Sequence, residues 1–204
     1  MSELNERSEN FENEEIKQNM TSNSDDKKKK IFKEVYDWLE SAIMAVIFVV
    51  LLFTFVGRTS VVSGESMIQT LQNGEMLLIS RLGGSFEQGD IVVATKPYSH
   101  NEPIVKRVIA VEGQTVDIDF NKGLVYVNGV VLDEPYVNTP TNRRYDQRFP
   151  MIVPEGHVFL LGDNRNGSYD SRAEEIGFVD ERYIMGKAYY RVLPFSRFST
   201  LYDK

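Results

Sequence analysis

The chain has 204 residues, of which 42 % are hydrophobic, and a formal net charge of −7 at pH 7. This length fits one globular domain of ordinary size with attached segments, and the acidic balance argues against a nucleic-acid binder because phosphate backbones bind to basic patches. The chain has no cysteine, which excludes disulfides, thiolate metal sites and cysteine nucleophiles, and its two histidines leave little material for a transition-metal site.

The N-terminal part of the chain contains a polar tail followed by an apolar run. Residues 1–30 are of mixed charge and cannot bury enough apolar surface to offset their conformational entropy, so we predict a disordered cytoplasmic tail. The run Ala42–Val56 carries no charge. Together with Leu39–Ser41 it would make about 27 Å of helix, close to the ~30 Å thickness of a bilayer core. We therefore predict a single transmembrane anchor over residues 31–57.

Two other interpretations of the apolar run are a cleaved signal peptide and a buried core helix. The residues after the run, Val56–Ser60, lack a small-x-small cleavage site. A segment that is apolar on every face suits lipid better than a half-exposed helix. The lysines of Lys27–Lys30 and Lys33 precede the run, and only Arg58 follows closely, so the N-terminus is predicted to be cytoplasmic and the remainder to lie on the outer face.

The outer part, residues 58–200, has the pattern of an all-β domain. Short runs rich in β-branched residues are punctuated by Gly and Asn, which is typical of strands and turns. The runs are Val61–Val62, Met76–Ser80, Ile91–Thr95, Ile104–Val111, Thr115–Phe120 and His157–Leu161. Asn128-Gly129 between two further apolar runs predicts a hairpin with a type I′ turn. Residues 183–195 are predicted to form a last strand or a short helix.

A candidate nucleophile lies a few residues beyond the predicted anchor. Ser66 follows Gly64, a residue that can adopt backbone conformations that others resist. A polar turn between a linker and a strand would explain this segment equally well. Taken alone, the segment therefore leaves the role of Ser66 open.

A candidate base, Lys106, lies in the run Ile104–Val111. Alternate residues of a strand share a face, so Lys106 is expected beside Ile104, Val108 and Ala110. Desolvation on such a face lowers the pKa of a lysine, which must fall by about 2 to 3 pH units from about 10.4 to give a usable base. Arg107 points to the other face and is predicted to form a structural ion pair. The alternative for Lys106 is an edge-strand lysine that discourages aggregation.

A polar loop, Gly162–Arg172, directly follows an apolar strand and is richer in polar residues than a turn requires. Such a loop can support an acid–base site through hydrogen bonds to the groups that react. Calcium binding is the alternative, because Asp163, Asn164 and Asp170 supply oxygen ligands. The spacing of an EF-hand is absent, however, and Arg165 and Arg172 would repel a cation.

Taken in order, these segments resemble the type I signal peptidase family in its Gram-positive form. The resemblance covers about residues 31 to 195 and begins with the single anchor. It continues through the segments Gly64–Leu71, Gly89–Val93, Val105–Val108, Gly162–Arg165 with Ser168, Asp170–Arg172 and Gly177–Val179. Each segment alone has low specificity, whereas their sequence in this order is highly specific.

The resemblance implies a membrane-bound serine endopeptidase with a Ser/Lys dyad. Ser66 would attack the scissile carbonyl, neutral Lys106 would take its proton and Ser168 would orient the amine. Asp163, Asp170 and Arg172 would brace the site. The implied fold is an antiparallel coiled β domain with a smaller β insertion at about residues 113–157.

The implied substrates are signal peptides of exported pre-proteins, cut after small residues at positions −1 and −3. We expect the pocket walls to come from Val62, Met67, Leu71 and Val105. The lipid bilayer is the other expected partner. No metal, cofactor or nucleic acid is expected, and the enzyme is expected to be a monomer.

The chain departs from the family pattern at two positions. Gln69 stands where the family usually has proline, which removes a rigid φ angle but no catalytic group. Gly64 stands where Gram-negative members have a serine that helps to form the oxyanion hole, which leaves the Ser66 N–H and one other donor for that task.

Three alternative functions are weighed against this one. A self-cleaving repressor protease would be cytosolic and carry a DNA-binding helical domain. A non-enzymatic anchored β domain that binds export partners would tolerate loss of Ser66. A triad based on His157 is possible on composition, although His157 is more typical of the start of a core strand.

Overall fold

The computed structural model describes residues 33–51, 57–95 and 103–202. Residues 33–51 form a helix, α1, and no helix among the described residues is long and apolar enough to cross a membrane. The predicted tail and residues 31–32 and 52–56 of the predicted anchor lie outside the described residues. The chain divides into two units between Leu52 and Phe53, and the strands described below belong to the second unit.

Twelve strands are described in the second unit, and every pair of neighbours is antiparallel. The mostly β, antiparallel fold expected from the sequence is therefore confirmed. The strands are β1 Arg58–Val61, β2 Met76–Ser80, β3 Ile91–Ala94, β4 Ile104–Val111, β5 Thr115–Asp119, β6 Leu124–Val127, β7 Val130–Val131, β8 Met151–Ile152, β9 His157–Leu161, β10 Val179–Asp180, β11 Ile184–Leu193 and β12 Ser199–Thr200.

The larger sheet has the strand order β1-β2-β11-β3-β4-β9-β10, with β12 paired to β11. Strand β11 pairs with β3 through its first residues and with β2 from Lys187 onward, and its pairing shifts register three times. Such bulges bend a strand and increase its twist, so the sheet curls. Gly186 permits the close approach of β2, since a Cβ at this position would lie 2.8 Å from the Ser80 carbonyl oxygen.

The smaller sheet has the order β7-β6-β5-β8 and is formed by the chain between β4 and β9. Its hairpin turns at Asn128 and Gly129, whose φ angles are 52° and 79°. Two positive φ angles are the requirement of a type I′ turn, as the Asn-Gly pair predicted.

A hydrophobic core joins the two sheets. Ile109 and Ala110 of β4 and Phe159 and Leu161 of β9 pack against apolar side chains of β5 and β6, which are Val116, Ile118, Val125 and Val127. Each large apolar side chain buried in this way contributes about 1.5–3 kcal/mol. The smaller sheet is therefore held to β4, which contains Lys106, and to β9, which directly precedes the loop Gly162–Arg172.

The sequence pattern locates most of the strands. The bounds of β2, β4 and β9 agree with the predicted runs, and the two apolar runs beside Asn128-Gly129 form β6 and β7. Residues 183–195 contain a strand, followed by a 3-10 turn at Phe195–Arg197. Strand β1 lies at Arg58–Val61 instead of Val61–Val62. Strands β8, β10 and β12 have two residues each and are too short to show an alternating pattern.

Candidate active site

Ser66 and Lys106 meet in the larger sheet. Ser66 lies in the turn between β1 and β2, after Gly64, whose φ of 84° is in the left-handed region that favours glycine. Lys106 is the third residue of β4. Its Nζ lies 2.6 Å from the Oγ of Ser66, within hydrogen-bonding distance. The fold thus brings together the two residues that the family resemblance pairs as a dyad.

The amine of Lys106 is desolvated. Lys106 is 4 % exposed, and burial is the largest effect in lowering its pKa from 10.5 to about 8. Among the neighbouring charges, Asp170 and Asp163 favour the protonated form, whereas the cation of Arg172 opposes it. Lys106 is therefore buried, as the sequence leads us to expect, and desolvation is the main cause of its lowered pKa.

The burial of β4 around Lys106 differs from the expectation that only one face of the strand would be apolar and buried. Strand β4 is buried along both faces from Val105 to Ala110. Its register against β9 shifts between Val108 and Ala110, so these two side chains join different hydrophobic clusters. The strict alternation assumed from the sequence fails at this bulge because one extra residue intervenes.

The turn that carries Ser66 is fastened to the loop Gly162–Arg172, called here the polar loop. The backbone N–H of Asn164 donates to the Ser66 carbonyl oxygen at 3.0 Å, and its side-chain amide donates to the Glu65 carbonyl oxygen at 3.1 Å. Asn164 had no predicted role beyond calcium ligation. Its sequence signals were its place in a polar loop after a strand and in the segment Gly162–Arg165 that carries the family resemblance.

Asp163 is the centre of a buried network beside the dyad. Arg107 donates to both of its carboxylate oxygens, at 2.8 and 2.7 Å, and the Thr70 hydroxyl donates to one of them. The structural ion pair predicted for Arg107 is present, and it joins β4 to the polar loop. Thr70 belongs to the same turn as Ser66, so the network also holds this turn on the C-terminal side of the candidate nucleophile.

Asp170 and Arg172 form a second ion pair in which both side chains are fully buried. Arg172 donates to the two Asp170 oxygens at 2.8 and 2.9 Å, and the Gly162 N–H donates to Asp170 at 3.1 Å. Arg172 also donates to the carbonyl oxygens of Arg143 and Arg165. These bonds close the polar loop on itself.

Ser168 is buried close to the nucleophile segment. A Cβ built on Gly162 would lie 2.3 Å from Ser168 Oγ and 2.5 Å from the Ser66 carbonyl oxygen, so both atoms border the same small space. Within the described residues, Ser168 Oγ has no hydrogen-bond partner, and it makes no hydrogen bond to Lys106. The hydroxyl is therefore near the site with its hydrogen-bonding capacity unused.

The four side chains expected to line substrate pockets lie together in the core of the larger sheet. Val62, Met67, Leu71 and Val105 belong to one hydrophobic cluster and are 0–5 % exposed. Two of them, Met67 and Leu71, follow Ser66 closely in the chain. The Ser66 N–H, by contrast, makes no hydrogen bond to any described residue. The peptide bond between Ile68 and Gln69 is cis.

The calcium and histidine alternatives find little support in these contacts. Asp163 and Asp170 are each paired with an arginine, and no group of three or more potential metal ligands occurs in residues 33–51, 57–95 and 103–202. His157 begins β9, where its Nδ1 lies 2.7 Å from the Glu155 carbonyl oxygen and its cross-strand partner is Asp180.

The chain is similar to signal peptidases over most of its length. A sequence model of the family described as "Signal peptidase, peptidase S26" matches residues 35–193. A probable signal peptidase I-1 of Synechocystis sp. is 36 % identical over 169 residues, which cover 78 % of this chain and 82 % of that protein. A signal peptidase IB of Staphylococcus aureus is 33 % identical over 184 residues, which cover 81 % and 93 %. A crystal structure of a signal peptidase I from Enterococcus faecalis, 33 % identical, matches 51 % of this chain and 97 % of that chain with a TM-score of 0.42.

We expect Asp163→Asn to lower the free energy of unfolding by about 3–5 kcal/mol, because it leaves the Arg107 cation buried without its anion. Urea denaturation monitored by circular dichroism measures this change. Asp180→Asn is the matched control, since its Arg182 partner is exposed and its loss should change the midpoint little. Equal stability of Asp163→Asn and the wild type would contradict a structural role for the buried pair.

Proposed function

We propose that this chain, which belongs to the peptidase S26 family of signal peptidases, cleaves signal peptides with Ser66 as the nucleophile and Lys106 as the general base. The family consists of serine proteases that act on signal peptides. The observation that carries the assignment of the dyad is the 2.6 Å distance between Lys106 Nζ and Ser66 Oγ. A base must lie within about 2.6–3.2 Å of the proton donor, and this pair meets that requirement.

The lowered pKa of Lys106 supports its role as the base. An ordinary lysine with a pKa near 10.4 is neutral in about one molecule in two or three thousand at pH 7. With the pKa lowered to about 8 by burial, the neutral fraction at pH 7 rises to about one in ten. The site therefore supplies a free amine without a histidine.

The proposed reaction proceeds through an acyl-enzyme. Ser66 Oγ attacks the scissile carbonyl carbon while its proton passes to Lys106 Nζ. The resulting oxyanion faces the Ser66 N–H, which is not used by other described groups. Collapse of the tetrahedral intermediate breaks the C–N bond, and the Lys106 ammonium gives its proton to the leaving amine. A water molecule, deprotonated by Lys106, then attacks the ester carbonyl, and the Lys106 ammonium returns the proton to Ser66 Oγ as the C–O bond breaks.

The supporting residues are proposed to hold the dyad in place. Ser168 would accept a hydrogen bond from the Lys106 ammonium once the proton has been transferred, which suits a buried hydroxyl with spare capacity. Asp163 braces the Ser66 turn through Thr70 and β4 through Arg107. Asp170 and Arg172 keep the polar loop closed around both residues of the dyad.

The proposed substrates carry small residues at positions −1 and −3. Val62, Met67, Leu71 and Val105 belong to one hydrophobic cluster, are almost fully covered, and are close in sequence to Ser66 or Lys106. A pocket bounded by such tightly packed side chains would accommodate a methyl group more readily than a large side chain. These four residues are therefore proposed to limit the depth of the substrate pockets.

The proposed location is the cell membrane, with residues 31–57 as a single anchor, the N-terminus in the cytoplasm and the protease domain outside. The uncharged run Ala42–Val56 and the lysines that precede it support this topology. Signal peptides are themselves apolar segments that enter the membrane. Holding enzyme and substrate in one bilayer raises their effective concentration.

We expect Ser66→Ala to reduce cleavage of an Ala-x-Ala pre-protein to the uncatalysed background, because no nucleophile remains. Lys106→Met should lower kcat/KM by about 10²–10⁴-fold through loss of the base. The controls are Ser63→Ala and Lys122→Met, which alter exposed side chains and should retain full activity. Release of mature protein on a gel measures each rate, and full activity in either dyad variant would overturn the proposal.

The pH dependence of kcat/KM should follow the titration of Lys106. A protonated amine cannot accept the Ser66 proton, so the rate should fall about tenfold for each pH unit below a midpoint of about 8 and level off above it. Initial rates measured from pH 6 to 10 test this shape. Loss of the pH dependence in His157→Gln would instead indicate a histidine base.

We expect the full chain to stay in the membrane pellet after alkaline extraction. Introducing two arginines, Val46→Arg and Val49→Arg, should release it because charge at the centre of a bilayer is costly. Val46→Leu with Val49→Leu is the apolar control. Recovery of the unaltered chain in the supernatant would rule out the anchor.

A further inference from the structure

The segment between β7 and β8, residues 132–150 and here called the strap, crosses from the smaller sheet to the polar loop. It contains no regular strand, yet its side chains and backbone make several contacts with polar-loop residues. The Tyr145 hydroxyl donates to the Ser168 carbonyl oxygen at 2.8 Å, and the Arg143 N–H donates to Asn166 Oδ1 at 2.9 Å. The strap thus belongs to the surroundings of the dyad although it comes from the other sheet.

The strongest of these contacts is the ion pair between Glu134 and Arg165. Arg165 is fully buried, and both of its terminal nitrogens donate to the Glu134 carboxylate, one of them at 2.7 Å. The hydroxyl of Thr141 accepts a further bond from Arg165 at 2.9 Å. A buried guanidinium requires such an anion, because removal from water penalises its charge. Glu134 therefore decides whether Arg165 can remain in its position.

Arg165 in turn fixes the part of the polar loop that holds the nucleophile. Its Nε donates to the Gly162 carbonyl oxygen at 3.2 Å, and its backbone N–H donates to the Asp163 carbonyl oxygen at 3.1 Å. The preceding residue is Asn164, whose backbone and side-chain N–H groups hold the carbonyl oxygens of Ser66 and Glu65. A displacement of Arg165 would therefore be passed to the Ser66 turn through one residue.

The strap also touches the other side of the network. The ring of Tyr136 lies under the Arg107 guanidinium, 3.8 Å from its carbon to the ring centre. This contact supports the cation that holds Asp163. Two strap residues that lie two positions apart, Glu134 and Tyr136, thus contact Arg165 of the polar loop and the Arg107 side chain that holds Asp163.

We propose that Glu134 is a positioning residue for the peptidase reaction, acting through Arg165 and Asn164 on the backbone of Ser66. This inference rests on the proposed function of the Ser66–Lys106 pair. Glu134 does not touch the reacting atoms. If Glu134 only supported the fold, its loss would lower stability alone. As a positioning residue, its loss should also lower the turnover of enzyme that remains folded.

The test compares Glu134→Gln with Asp133→Asn in the full chain, purified in detergent. Asp133 is the adjacent residue of the strap, and it is exposed. At a temperature where both variants are folded, Glu134→Gln should lower kcat by about 10–100-fold, because small misplacements of reacting groups carry penalties of this size. The KM should stay within about twofold of the wild type. Asp133→Asn should match the wild type in both parameters.

Two further readouts separate positioning from mere support. The pH midpoint should not move in Glu134→Gln, because the charges that act on Lys106 are Asp163, Asp170 and Arg172. Hydrogen exchange at the Asn164 amide, which donates to Ser66, should become faster in Glu134→Gln and not in Asp133→Asn. A lowered melting temperature with unchanged kcat and unchanged exchange would overturn the proposal, as would a shifted pH midpoint.

A second variant keeps the test decisive if Glu134→Gln does not fold. Thr141→Val removes one bond to Arg165 and leaves the ion pair in place, so it should give a smaller fall in kcat with unchanged KM. Wild-type kcat in this variant would then refute the inference. The wild type and Ser66→Ala, run beside these variants, test the proposed function separately, since cleavage must occur in the first and be absent in the second.

Discussion

The site depends on the burial of one amine without a carboxylate partner. Three arginines near the dyad are each paired, Arg107 with Asp163, Arg165 with Glu134 and Arg172 with Asp170. Lys106 is buried near them, and the only hydrogen-bond partner of its amine among the described residues is the Ser66 hydroxyl. A carboxylate in contact with the amine would hold its proton, because opposite charges favour the ionised form. The neighbouring carboxylates are instead committed to guanidinium groups, which leaves desolvation as the dominant effect on Lys106.

This arrangement explains why a rigid β scaffold suits the proposed chemistry. Lys106 extends from a strand that is covered on both faces, and Ser66 lies on a turn held by backbone bonds from the polar loop. Neither group needs to be drawn into place by the substrate. Preorganised groups lose little entropy when the reaction begins, which is where much of the rate advantage of an enzyme arises.

The local parts of this structure could be predicted from the sequence, and the long-range parts could not. Runs rich in β-branched residues located β2, β4 and β9, and Asn128-Gly129 located a turn because its conformation depends only on neighbouring residues. The desolvation of Lys106 followed from its apolar neighbours. The roles of Asn164 and Glu134 depend on contacts between segments far apart in the chain, for which a single sequence carries no signal. The covered position of Met67 and Leu71 likewise reflects tertiary packing, which propensity does not describe.

The packing of the smaller sheet has a consequence for how far this chain could be shortened. Strands β5 and β6 cover the apolar side chains of β4 and β9, and the segment that follows them supplies the only carboxylate that Arg165 contacts among the described residues. Deleting the smaller sheet and the strap would therefore expose the apolar side chains of β4 and β9. It would also leave the buried Arg165 guanidinium without its carboxylate partner. A shortened protease built on this scaffold would need a replacement anion and a new apolar cover, so the smaller sheet and the strap are integral to the domain.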